Sequence, residues 1–196
     1  MTRVGRRLAL AGGVAGPAAF VTAWAVLGAR AEGYSAVHDP ISRLAAAGAP
    51  TRAAMTAGML AFAGGVTAFA IAERRALGRR AAVAVGLTGI ATAAVAALPL
   101  DASFGDEPHA AAAAVAYAAL AAVPWLDASS TGGQRAVSRA VSGAIAAALL
   151  ASALAPDRHG LLQRVGLTLG DLWIVAGASR ALRHTAGSER GSVGRD

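Results

Sequence analysis

Six ionisable side chains of this 196-residue chain, His38, Asp39, Asp101, His109, Asp157 and His159, lie in three short polar segments, and a seventh, Asp171, sits inside an apolar run. Imidazole and carboxylate together suit Zn²⁺ or a similar divalent ion, and a bound metal could activate water for hydrolysis. On this reading His38, His109 and His159 are the candidate metal ligands. Asp39, Ser42, Asp101, His109 and Asp171 are the candidate catalytic groups. No HExxH or other spaced ligand motif accompanies them. The competing reading is that the loop residues cap helices and solvate turns. Asp39–Pro40 has the form of a helix start, with Asp at the N-cap and Pro at the first helical position. "PISRLAAA" then makes about two turns before Gly48 and Pro50, and Thr51 is placed to cap the helix that follows. Asp171 stands apart, because an ionisable group within a span is expensive without a partner. Arg164, about two turns earlier on the same helix face, is the partner that the spacing offers.

Other chemistries find no support. The chain contains no cysteine, which excludes disulfides, thiolate catalysis and cysteine zinc sites. Walker A, dinucleotide and nucleophile-elbow patterns are missing. Haem between helices needs facing histidines within spans, whereas these histidines fall at or beyond run ends. The net charge of +7 does not indicate nucleic acid, since the basic residues flank apolar runs instead of lining one face.

The elements that position this polar set are long apolar runs. Residues 8–29, 53–72, 81–100, 110–126 and 140–156 contain no Asp, Glu, Lys or Arg, and 160–182 is interrupted only by Arg164, Asp171 and Arg180. Runs of about 17–22 residues match a hydrocarbon core of roughly 30 Å. A soluble helical bundle would need a polar stripe on each helix. The run 81–100 offers only Thr88 and Thr92, and 110–126 only Tyr117. Helices apolar on every side belong in lipid. The expectation is an all-α, polytopic membrane protein, a single six-helix bundle over 1–183. Its spans would fall near 8–29, 52–73, 80–99, 109–126, 137–156 and 160–182, and a polar tail over 184–196 would be disordered and cytoplasmic.

The 18 basic residues are all arginine. With the N-terminus inside, only Arg30, Arg43, Arg52, Arg158 and Arg164 fall outside, and the rest, including the "ERRALGRR" hairpin at 73–80, stay cytoplasmic. The positive-inside rule then places both termini in the cytoplasm of a cell-membrane protein. A competing reading makes the first segment a cleaved signal, with "MTRVGRR" as its basic head, "ARA" (29–31) as a cleavage site and a twin arginine at Arg6–Arg7. The length of 8–29, with Pro17 and Trp24 inside it, favours a retained span. "GVAG" (13–16) and "GLTLG" (166–170) are rich in the small residues that let membrane helices approach closely.

"HDPISRLAAAGAPTRAAMTAGMLAFAGG" (38–65), "LPLD" and "HAAAAAVAY" (98–117), and "GLLQRVGLTLGDLWIVAGASRAL" (160–182) together resemble the membrane family called domain of unknown function 998. The resemblance covers nearly the whole chain and implies six membrane helices, with no established activity or cofactor. It singles out Asp39, Ser42, Asp101, His109, Arg164 and Asp171. The family core often reads Ile-Ser-Asp/Glu-Leu, whereas here Arg43 follows Ser42, so either the contribution of that acid to a shared function is lost here or its partner differs. The expected function is that of a structural or binding bundle in the lipid bilayer, taking a lipid or small apolar molecule at a polar outward mouth. The alternatives are a metal-dependent hydrolase of lipids at the outer leaflet and, behind it, a transporter. No nucleic acid is expected as a partner.

Overall fold

The uncharged runs fold as helices because an apolar solvent leaves backbone N–H and C=O groups no partners but one another. A computed structural model of the chain describes residues 1–127 and 129–193, the last seven of these by their backbone. The helices are α1 (Arg3–Arg30), α2 (Arg52–Leu77), α3 (Arg79–Ala97), α4 (Glu107–Leu126), α5 (Gly133–Leu154) and α6 (His159–Val193), and no strand occurs among the described residues. Six helices are long and apolar enough to cross a membrane. Their outer faces carry large apolar side chains such as Ile71, Val83, Ile90 and Leu150, a surface that suits acyl chains and not water. The chain is therefore an all-α, multi-pass membrane protein.

Several boundaries differ from those the sequence suggests. Helix α1 begins at Arg3, because the Thr2 hydroxyl accepts the Gly5 amide hydrogen at 3.1 Å and caps it. Helix α6 continues to Val193, so the backbone of 184–193 is helical where a disordered tail was expected. No proline interrupts that stretch. Residues 194–196 lie outside the described residues.

Consecutive helices pack as neighbours, and α6 returns against α1 as well as α5, closing the ring. Small residues make this closeness possible. A Cβ at Gly12 would come 3.0 Å from the Gly65 carbonyl oxygen, and one at Gly16 would come 3.0 Å from that of Ala61. Across the ring, Gly166 receives the Leu149 side chain and Gly170 that of Leu120. Both small-residue stretches read in the sequence thus lie at helix crossings. At the end of the bundle that carries the α2–α3 hairpin, Arg6 pairs with the buried Glu73 and ties α1 to α2.

The opposite end is closed by the 31–51 connection. Here the structure corrects the expected two-turn α-helix: the segment forms a 3-10 helix over Ile41–Ala45, preceded by Pro40. Asp39 does not cap it. Its Oδ2 accepts the Ser35 amide at 2.7 Å, closing a local turn instead. Thr51 does not cap α2 either, since its hydroxyl donates to the Leu44 carbonyl at 2.7 Å. The 3-10 helix buries Ile41, Ser42, Leu44 and Ala45, and withdrawing Ile41 and Leu44 from water contributes about 1.5–3 kcal/mol each. This segment is a plug, tied down by backbone bonds from Leu161 to Val37 (3.0 Å) and from Ala47 to Leu100 (2.8 Å).

Candidate functional site

Beneath the plug is a cavity of about 50 Å³, enough for a few water molecules or a slim group. Its floor and walls come from α1, α2, α3, α4 and α6, and Ile41 and Ser42 of the plug form its roof. Most of the lining is apolar, with Phe20, Met59, Phe62 and Leu167 among it. Set into that lining are Ser42, Thr88, Thr92, His109, Tyr117, Gln163 and Asp171.

Most of these polar groups are held by hydrogen bonds that fix what they can offer a ligand. His109 Nδ1 lies 2.6 Å from the Leu98 carbonyl oxygen. A carbonyl only accepts, so Nδ1 carries the hydrogen and Nε2 of the neutral ring is an acceptor. Gln163 accepts the Ile41 amide at 2.8 Å and donates through Nε2 to the Tyr117 hydroxyl. That pairing leaves the phenol's own hydrogen as a donor. Thr88 and Thr92 donate back along α3 to the Ala84 and Thr88 carbonyls, at 2.9 and 2.8 Å. Asp171 differs from all of these. It is 4% exposed, and neither carboxylate oxygen has a hydrogen-bond partner among the described residues. Counting from His159, it lies about 18 Å along α6 at the usual helical rise, near the middle of a core roughly 30 Å thick.

The expected Arg164–Asp171 pair does not form. Arg164 turns the other way and staples the plug to α6. Its Nη1 donates to the carbonyls of Ala36 (2.7 Å), Asp39 (3.1 Å) and Gly160 (2.8 Å), and its Nη2 to the Tyr34 hydroxyl. The guanidinium also lies against the rings of Trp24 and Tyr34, at 5.3 and 5.5 Å. Carbonyl dipoles and aromatic faces thus replace a carboxylate as its partners. Burial pushes the Tyr34 phenol above its ordinary value, against the pull of the Arg164 charge. The neutral phenol donates in turn to the Pro40 carbonyl at 3.3 Å. Gly160 leaves room for this docking, because a Cβ there would lie 2.7 Å from Arg164 Nη1.

The remaining candidates from the sequence are dispersed. His38 is exposed and bonds through Nδ1 to the Asp157 carbonyl at 2.7 Å. Asp101, in a left-handed conformation (φ +59°) that Asp tolerates, forms an exposed ion pair with Arg43 at 2.6 Å. Arg43 thus has a partner in the neighbouring loop. The Asp101 amide hydrogen goes to Asp106 Oδ1 at 2.8 Å. His159, Asp39, Asp101, His38 and Asp157 do not line the cavity, whereas Ser42, His109 and Asp171 do. Among the described residues no group of three His, Cys, Asp or Glu side chains is placed to hold a metal ion. Tyr117, Gln163, Thr88 and Thr92 join the site without having been singled out for it. Their signal was present, since Thr88, Thr92 and Tyr117 are the lone polar side chains of their apolar runs, and such groups turn away from lipid.

Compared with known protein families, the chain matches the family described as Protein of unknown function (DUF998) over residues 14–180. No curated protein and no solved structure matches it.

Proposed function

The chain belongs to the DUF998 family, and from that premise we propose that it is a binding protein of the cell membrane with both termini cytoplasmic. Its ligand is a small molecule with an apolar body and a hydrogen-bond-donating end. The observation that carries this reading is Asp171. A buried carboxylate without a partner is destabilising by several kcal/mol, and it persists where something other than stability selects it. Here it faces a cavity whose other polar groups, His109 Nε2 and the threonine hydroxyls, are acceptors, with the Tyr117 hydroxyl as a donor. A ligand's N–H or O–H at Asp171 would offset the cost, and Phe20, Met59 and Phe62 would hold its apolar part. The orientation rests on the arginines, most of which flank the α2–α3 hairpin end. The plug then faces outward.

Carriage of the same ligand across the membrane is the second reading. The depth of Asp171 favours it, because transporters place their sites near the midplane. The unbroken course of α1 and α4 through Pro17 and Pro124 favours binding alone. A metal-dependent hydrolase has no such support, given the dispersal of His38, His109 and His159.

The test is to extract the protein from membranes in mild detergent and identify co-purifying small molecules by mass spectrometry. Wild type should carry a species that drops at least about tenfold in Asp171→Leu and in Ala113→Phe, which fills the cavity. Arg43→Gln, whose exposed side chain pairs with Asp101 and does not line the cavity, should retain it. Extracts indistinguishable between wild type and both cavity variants would overturn the proposal.

A further inference from the structure

A second concave surface lies at the far end of the bundle, on the lateral face between α2 and α3. It encloses about 740 Å³ and is lined along its length by Ala70, Ile71, Val83, Gly86, Leu87 and Ile90. One end is closed by Arg74 and Arg75 from the last turn of α2 and Arg79 from the first turn of α3. All three arginines are exposed, and none has an ion-pair partner among the described residues. Glu73, the acid nearest in sequence, is buried and committed to Arg6. Among the described residues no Asp or Glu lines the groove, so its arginine end is a patch of positive charge above an apolar trough.

We propose that this groove is a binding site for an anionic phospholipid, its phosphate between Arg74, Arg75 and Arg79 and an acyl chain laid along Ile71, Val83, Leu87 and Ile90. The dimensions fit that occupant. From Arg79 to Ile90, α3 rises about 16 Å, half of a hydrocarbon core roughly 30 Å thick, which is the depth of a single leaflet. Charge and apolar surface are therefore stacked in the order in which a lipid presents phosphate and chain. Arginine adds geometry to charge, since its planar fork can hold phosphate oxygens in pairs. A bulk bilayer would wet the trough with any acyl chain, but only an anionic headgroup matches its arginine end. Basic pockets between membrane helices bind anionic headgroups in this way. The site shares no residue with the Asp171 cavity, so either can fail without the other.

Native mass spectrometry of the delipidated protein, given equimolar phosphatidylglycerol and phosphatidylcholine with matched chains, tests the proposal. Wild type should retain phosphatidylglycerol in preference. The triple variant Arg74→Gln/Arg75→Gln/Arg79→Gln should lose that preference, at about fivefold per arginine. Gly86→Trp keeps every charge and fills the trough. A Cβ at Gly86 meets only the Ala70 methyl, at 4.0 Å, so the variant should fold and lose retention of the lipid. A matched variant losing Arg3, Arg139 and Arg183 should behave as wild type. Preference retained in the triple variant, or lost equally in the matched one, would overturn the site. If inorganic phosphate displaced the lipid and Gly86→Trp bound as well as wild type, the occupant would be a free phosphate and the lipid assignment would fall. Should the triple variant not fold, Gly86→Trp decides alone.

Discussion

Asp171 and Arg164 are two turns apart on one helix, and the structure gives them opposite tasks. Arg164 has its charge spread over three carbonyls, a phenol and two aromatic rings. Among the described residues Asp171 has no hydrogen-bond partner. Sequence spacing pairs them, because it registers that both lie on one face and not which way two long side chains turn. The direction is decided by the backbone of Ala36 and Asp39, whose arrival over α6 depends on a loop fold that no local pattern specifies. Asp171 itself was legible, since a lone acid in an apolar run is visible in the sequence alone. Its isolation leads to a stability prediction. Replacing an unsatisfied buried group by an apolar one of similar size removes its desolvation penalty, about 1–3 kcal/mol for a neutral group and more for an ionisable one such as Asp171. Detergent-solubilised, ligand-stripped Asp171→Leu should therefore unfold at a higher temperature than wild type. A lower melting temperature would mean that the carboxylate has a structural partner after all.

At the level of elements, the six spans were readable and their ends were not. Charge-free runs of membrane-spanning length have few other solutions, so the number and order of helices followed directly. Ends depend on where backbone groups find partners. Thr2 extends α1 through an amide bond, Asp39 spends its carboxylate on Ser35, and Thr51 spends its hydroxyl on Leu44, so two of the caps expected from residue type do not form. How helices touch was legible only as composition. The α1–α2 crossing shows what the composition is for, because neighbouring glycines in α2 have unequal roles. A Cβ at Gly65 would run into the backbone of Gly12 and come 3.1 Å from Gly16 Cα, while one at Gly64 meets nothing within 4 Å. Gly65→Val should destabilise by about 1–3 kcal/mol through forced separation of the helices. Gly64→Ala should be neutral or stabilising by up to about 1 kcal/mol, since alanine is the better helix former. Thermal unfolding of the two variants side by side checks this, and equal loss in both would show that α1 does not pack closely on α2 in the membrane.

For the molecule as a whole, the plug, the staple and the cavity form one device, because the roof of the cavity is held down from α6. Ile41 accounts for much of this: its amide bonds to Gln163 Oε1, and its side chain is a cavity wall. Loosening Arg164 should free the 34–45 segment and open the cavity, with α1–α6 left in place. The absence of cysteine from the chain makes a direct measurement available, since any introduced thiol reports alone. A cysteine at Val37, exposed beside the plug, should react with a membrane-impermeant maleimide on intact cells, and one at Ala76, exposed in the α2–α3 hairpin, only after permeabilisation. The reverse pattern would invert the orientation that the arginines support. Ala113→Cys, in the cavity wall, should be protected in the otherwise native protein and react at least about tenfold faster when Arg164→Gln is added, because losing a bonded, buried guanidinium costs about 3–5 kcal/mol of local stability. Arg43→Gln should leave Ala113→Cys protected, since an exposed ion pair contributes only about 0–1 kcal/mol. Equal labelling of Ala113→Cys with and without the staple would mean that the cavity is reached by another route, between helices from the lipid instead of beneath the plug.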